Sequence, residues 1–242
     1  MPQKMSIWAV LVSMIDRPGA ATANIAAYPR WRWLLPVVLI IAAVAGSLAL
    51  NAPLLAVQMR QVMAEQMARM PAEQAQLIAP QLEQFQQPQV VAGTAAATSL
   101  VGLLLGWLIQ AVVLYFGVLI AGGELEFKRI LAVLPWLSLP FALEFMLQAA
   151  FALTQGYLVV NQGLAYLVSV GKPMEDARNL IYVALGQLTL FRLWHWVLVG
   201  ALLRNAAKLT GGTAVFMTLV YAALGLGLQL ALAALSGMLS PQ

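Results

Sequence analysis

Val91 to Ala121 reads VAGTAAATSLVGLLLGWLIQAVVLYFGVLIA. The stretch carries no charged side chain. It runs well past the roughly 20 apolar residues that a helix needs to cross a hydrocarbon core. It reads as a transmembrane helix, and it sets the class of the whole chain. Four further stretches qualify on either side of it: Trp33 to Val57, Ile130 to Leu153, Leu180 to Leu203 and Thr213 to Met238. The composition agrees. Of 242 residues, 62% are hydrophobic and 9% are charged, against roughly 25% charged in soluble domains. So few charges leave lipid to cover much of the surface. The expected fold is all-α, a polytopic membrane helix bundle with about five transmembrane helices, forming a single membrane domain over 1–242.

Lysine and arginine in short loops set the orientation. Lys4, Arg17, Arg30 and Arg32 precede the first span, Lys128 and Arg129 lie in the second connection, and Arg204 and Lys208 in the fourth. Arg60, Arg69, Lys172 and Arg178 occupy the first and third connections. The larger set predicts a cytoplasmic N-terminus and a C-terminus outside. Residues 1–32 form the lead-in. Lys4 followed by Met5 to Ile15, with Ala21-Thr22-Ala23 downstream, has the outline of a cleavable signal peptide. The intervening Asp16-Arg17-Pro18 break favours a short amphipathic helix in the membrane plane with Trp8 in the headgroups. Asp16 would then cap a second helix beginning at Pro18, and Tyr28, Trp31 and Trp33 with Arg30 and Arg32 would form an interfacial belt.

The first connection, 58–89, is rich in Gln, Glu, Ala and Met, which favours helix, and is interrupted by Pro71 and Pro80. It is expected to be an outer helical connection. Met59, Met63, Met67 and Met70 fall on one helical face. They read as an apolar packing stripe or, alternatively, as a thioether site for Cu(I). No Cys or His accompanies them, so no metal or cofactor is assigned. Gly156 to Val170 is apolar but short, and reads as a loop or interfacial segment or as a dip into the membrane.

Charged side chains at bilayer depth are functional candidates by default. Glu144 lies in the third span, and Arg192 and His195 in the fourth. At about 1.5 Å per residue, Glu144 falls about 21 Å from the cytoplasmic face, and Arg192 and Gln110 about 18 Å. Gln110, Glu144, Arg192 and His195 thus form a candidate midplane polar layer. Glu144 and Arg192 would be a charge-assisted pair, completed by Gln110 or His195. The layer serves either helix register or the passage of a proton, ion or polar headgroup. Gly102 and Gly106 form a G-x-x-x-G helix-packing face, inside the bundle or between protomers. Pro135 and Pro140 should bend the third span and expose carbonyls near Trp136 and Ser138 that a neighbouring helix must satisfy.

Walker, HExxH and GxSxG motifs are missing, and the chain has one histidine and no cysteine. No catalytic residue is assigned, and the chain reads as a non-enzyme. Its thinly spread basic residues exclude a nucleic-acid stripe.

Three regions carry a family likeness. They are Asp16-Arg17-Pro18 through Tyr28-Pro29-Arg30-Trp31, Gly122-Gly123-Glu124-Leu125-Glu126-Phe127-Lys128-Arg129 with Ser138-Leu139-Pro140, and Leu190-Phe191-Arg192-Leu193-Trp194-His195-Trp196 with Gly211-Gly212-Thr213. In order and spacing the chain resembles bacterial members of the Yip-one family, the Ypt/Rab-interacting multi-pass membrane proteins. The resemblance implies five spans, a cytoplasmic N-terminus, self-association or a complex with another membrane protein, and no catalytic residues. Eukaryotic relatives work in vesicle trafficking with Rab-type GTPases. Their long N-terminal region with acidic-tyrosine motifs is not found here, and Arg192 and His195 stand where the family often has a small polar residue. The expected function is a non-catalytic scaffold or adaptor in a bacterial inner membrane, binding another membrane protein or organising lipid. The alternative is a small transporter or channel using the polar layer.

Overall fold

A computed structural model describes residues 4–68, 70, 71, 74 and 87–239. Part of the outer connection, including Pro80, lies outside the described residues. All the regular structure among the described residues is helical. Two helices open the chain, α1 (Ile7–Asp16) and α2 (Pro18–Ala27). A 3-10 turn at Arg30–Trp33 leads into α3 (Leu34–Leu50), followed by α4 (Ala52–Met67) and α5 (Pro88–Ile120). The remaining helices are α6 (Phe127–Leu137), α7 (Leu139–Gln155), α8 (Pro173–Arg178), α9 (Leu180–Gly186), α10 (Leu190–Asn205) and α11 (Gly211–Leu239). Four helical segments are long and apolar enough to cross a membrane, namely Arg30–Leu50, Pro88–Ile120, Phe127–Gln155 and Gly211–Leu235. The pair α9 and α10 makes a fifth if it is taken as one broken span. The protein is a polytopic helix bundle.

The core lies where α2, α6 and α10 meet. Ile130, Val133, Leu134 and Leu137 are wholly buried on α6, and Leu198, Val199, Leu202 and Leu203 on α10. Both sets follow the 3.6-residue period of an apolar helix face. The small side chains of α2 let it pack closely there, with Ala21, Thr22 and Ile25 fully buried. On α1, Val10 and Met14 face α2, while Trp8, Val12 and Ile15 point outward. The lead-in is therefore part of the bundle, and only one side of α1 is free to meet lipid.

Several sequence expectations change here. Asp16 does not cap α2. It ends α1 and pairs at 3.8 Å with Arg17, the N-cap of α2, which makes no side-chain cap bond. Pro18 at the first helical position needs no donor satisfied, so the helix starts without one. Arg32 leaves the interfacial belt. It is 3% exposed and donates to Asn24 Oδ1 at 2.9 Å and to the Met5 carbonyl, while Met5 N–H donates to the same Asn24 oxygen at 3.2 Å. The first apolar stretch is broken at Asn51. The Asn51 amide turns back to donate to Ser47 O at 2.9 Å, and Pro53 follows just inside α4. On α4, Met59 and Met63 line a groove against Val91, Ala95 and Ser99 of α5.

The fourth stretch, 180–203, is not one continuous helix. It is α9 and α10, bent by 65° around residues 187–189. The cause is local. Thr189 adopts extended backbone and caps α10, its hydroxyl accepting from Arg192 N–H at 3.1 Å. Asn179 caps the start of α9 in the same way. Residues 156–170 hold only the 3-10 turn Ala165–Leu167 and pack on α9, with Leu164 N–H donating to Leu185 O at 3.1 Å. Gly163 is the position that requires glycine. Its φ is +54°, and a Cβ there would meet the carbonyl oxygens of Leu188 and Leu185 at 2.8 and 2.9 Å.

Candidate functional site: a polar cluster within the bundle

The joint between α6 and α7 creates the first element of the site. At Ser138 the helix tightens, and Phe141 N–H donates to Ser138 O at 3.0 Å instead of to Leu137 O. Leu137 O is thereby freed, one residue from the carbonyls the prolines were expected to expose. His195 on α10 fills the vacancy, its Nδ1 lying 2.8 Å from Leu137 O. A carbonyl only accepts, so Nδ1 carries a proton. On the other side of the ring, His195 Nε2 lies 2.9 Å from the Tyr221 hydroxyl of α11. That hydroxyl is 2.8 Å from the side-chain amide of Gln110 on α5. One chain of hydrogen bonds thus ties α6, α10, α11 and α5 together. It has two self-consistent proton arrangements. With a single proton on the ring, Tyr221 donates to Nε2 and the Gln110 amide nitrogen donates to the hydroxyl. With two ring protons, Nε2 donates to the hydroxyl, which donates to Gln110 Oε1. A half-turn of the Gln110 amide separates the two.

A second bond steadies the same joint. Trp107 Nε1–H donates to Ser138 Oγ at 2.9 Å, and that hydroxyl donates to Leu134 O at 2.9 Å. Around these groups lies a cavity of about 350 Å³ lined from α5, α10 and α11. Gly102, Gly106, Gln110, Arg192 and His195 all border it, together with Gln187, Tyr221 and Gln229. Five of the six residues singled out in the sequence therefore share one cavity. Glu144, the sixth, lies on α7 outside it, facing Thr189 and Arg192.

Glu144 and Arg192 interact electrostatically but form no ion pair. Arg192 sits on the first turn of α10 and runs over the face of Phe141, its guanidinium carbon 5.5 Å from the ring centroid. The glycine pair also departs from expectation within the chain. A Cβ at Gly102 would meet nothing within 4 Å, and one at Gly106 would meet only the Gln110 amide, at 3.9 Å. The close approach between α5 and α11 is at Gly117, where a Cβ would lie 2.8 Å from Met217 Cε. Tyr221 and Trp107 are the participants the sequence reading passed over.

A Yip1 domain matches residues 12–233, from within α1 nearly to the end of α11. The chain belongs to the Yip1 domain family. Like that family in general, which is non-enzymatic, it is a multi-pass integral membrane protein whose apolar helices lie in a lipid bilayer. No curated protein and no solved structure matches the chain significantly. The Yip1 match takes in both the buried α2 and the bent α9–α10 pair, along with every residue of the polar cluster. Among the described residues no group of three or more His, Cys, Asp or Glu side chains is placed to hold a metal ion.

Proposed function

We propose that the chain is a non-catalytic scaffold or adaptor of the Yip1 type, binding another membrane protein and organising nearby lipid. One observation carries this reading. The ionisable and polar groups of the cluster at His195 are consumed in bonds that lock four helices together. A bundle fixed in this way offers its outer faces for recognition. Those faces are large and apolar, with Leu104, Leu105 and Leu108 exposed on α5 and Leu224, Leu228 and Leu232 on α11. The uneven basic residues support a cytoplasmic N-terminus, and the resemblance to bacterial members supports a bacterial inner membrane.

Site-specific photocrosslinkers at Leu104 and Leu228, read in native membranes, test the scaffold. The expected result is an adduct with one protein species that is missing when the probe is moved to buried Leu198. Adducts with lipid alone from both outer faces would remove the protein-binding role.

Arg192, which borders the cavity without an ion pair, favours the transporter as a second reading. Glu144→Gln and Arg192→Leu, singly and together, separate the two in proteoliposomes. A flux lost in the double variant while folding is retained supports transport. The wild-type chain passing no ion across a tight vesicle rejects it.

A further inference from the structure

The lead-in walls a second cavity, of about 480 Å³, between the start of α1 and the entry to α3. Lys4, Arg30 and Arg32 line it, and among the described residues no carboxylate does. The neighbouring acids on this side of the bundle are engaged elsewhere. Asp16 pairs with Arg17 at the far end of α1, Glu126 with Lys128 and Arg129, and Glu124 with Lys208. Like charges gathered around one opening repel, and an anion between them relieves the repulsion.

The cations differ in what they do. Arg32 belongs to the wall. It is buried, and its guanidinium donates to Asn24 Oδ1 and to the Met5 carbonyl, both neutral acceptors. These bonds pin the start of α1 to α2 and to the entry of α3, and so fix the shape of the cavity. Lys4 and Arg30 are the arms. Both are exposed, and neither makes a hydrogen bond or an ion pair among the described residues.

An apolar track starts at the same opening. Trp31 lines the cavity, and Trp31, Leu34, Val38 and Ile41 are all exposed. Their spacing of three, four and three places them on one face of the helical segment Arg30–Leu50. The track therefore runs from the cavity along the first span. Arg30 is the first residue of that span, which sets the cavity at the membrane boundary, where headgroups lie and tryptophan is enriched. A soluble anion would use the cations and leave the track bare. An anionic phospholipid uses both.

We propose that this cavity binds the headgroup of one anionic phospholipid from the leaflet on the N-terminal side. Lys4 and Arg30 hold the phosphate, Arg32 adds fixed positive charge to the wall, and one acyl chain lies on Trp31, Leu34 and Val38. A zwitterionic headgroup brings its own cation toward that charge and binds less well. The site rests on the lipid-organising part of the proposed function and deepens it. Crosslinking at Leu104 and Leu228 reports the protein-binding part, so the two readings fail separately.

The test uses the full-length chain, delipidated in mild detergent and titrated with phosphatidylglycerol or phosphatidylcholine of matched acyl chains, with bound lipid counted by native mass spectrometry. The wild-type chain should retain one phosphatidylglycerol under conditions that strip phosphatidylcholine. Lys4→Gln and Arg30→Gln should each weaken that retention about fivefold, and the double variant about 25-fold. Both side chains are exposed, so neither change opens the core. Arg204→Gln removes an exposed cation outside the cavity and should change nothing. Excess soluble glycerol phosphate should leave the lipid in place. Equal retention of the two lipids by the wild-type chain, unchanged retention in the double variant, or an equal loss in Arg204→Gln overturns the proposal. Displacement by glycerol phosphate overturns the choice of a lipid over a soluble anion.

Discussion

Replacing Tyr221 with Phe deletes one oxygen from the bundle and changes little else in shape. The hydroxyl is at the centre of the chain that joins His195 and Gln110, at 2.9 and 2.8 Å, on a residue 9% exposed. Hydrogen bonds between membrane helices average about 0.6 kcal/mol, with a maximum near 1.7. Two of them lost together predict a destabilisation of about 1–3 kcal/mol. Gln110→Leu removes only the outer bond and should cost about 0.6 kcal/mol. The double variant should be less unstable than the sum of the two, because the Tyr221–Gln110 bond is then counted once. Reversible unfolding in mixed micelles titrated with a denaturing detergent gives these differences. A Tyr221→Phe chain as stable as wild type, within about 0.3 kcal/mol, would refute the reasoning, because the hydroxyl would then have no structural duty to lose. Strict additivity would refute it too, since the cluster would not act as one chain.

Three further outcomes are expected. Gly117→Leu should separate α5 from α11, because its side chain meets Met217 at once, whereas Gly102→Ala should leave stability unchanged; crosslinking between the two helices distinguishes them. Asn24→Ala removes the oxygen that both Met5 N–H and Arg32 use, so amide exchange along α1 should accelerate while α6 stays protected. The Ser169 hydroxyl and the Val170 and Gly171 N–H groups hold the Asp176 carboxyl below its usual range. Its stabilisation of the 169–176 loop is therefore complete above the ordinary carboxylate pKa of about 4, and is lost as the pH falls through the depressed folded value. Exchange of the Val170 amide should rise only in that acid range, and Asp176→Asn should remove the pH dependence.

The spans were legible because length and apolarity suffice to read them, as in Val91 to Ala121. Where a span breaks depends on single capping side chains. Thr189 and Asn51 look unremarkable in an apolar run until their oxygen or amide is seen turned onto the backbone. The burial of α2 was hidden for a different reason. Pro18 to Ala27 has one large apolar side chain, Ile25, and otherwise mostly small residues whose value lies in how near they let α10 come. In the site, polar residues inside spans announced Gln110, Glu144, Arg192 and His195. Partnership follows from rotation about each helix axis, which the sequence does not state. It turned His195 toward a carbonyl and a tyrosine, and Arg192 toward a ring and an open cavity.

The burial of α2 against α10 also orders events in time. A ribosome delivers Pro18–Ala27 long before Leu190–Asn205 exists. Of the intervening segments, α6 supplies part of the seat of α2, while its Gly19 flank waits for Asn205 to arrive. An early-made helix is thus among the last to complete its packing. The packing of α2 is complete only once α10 has been made.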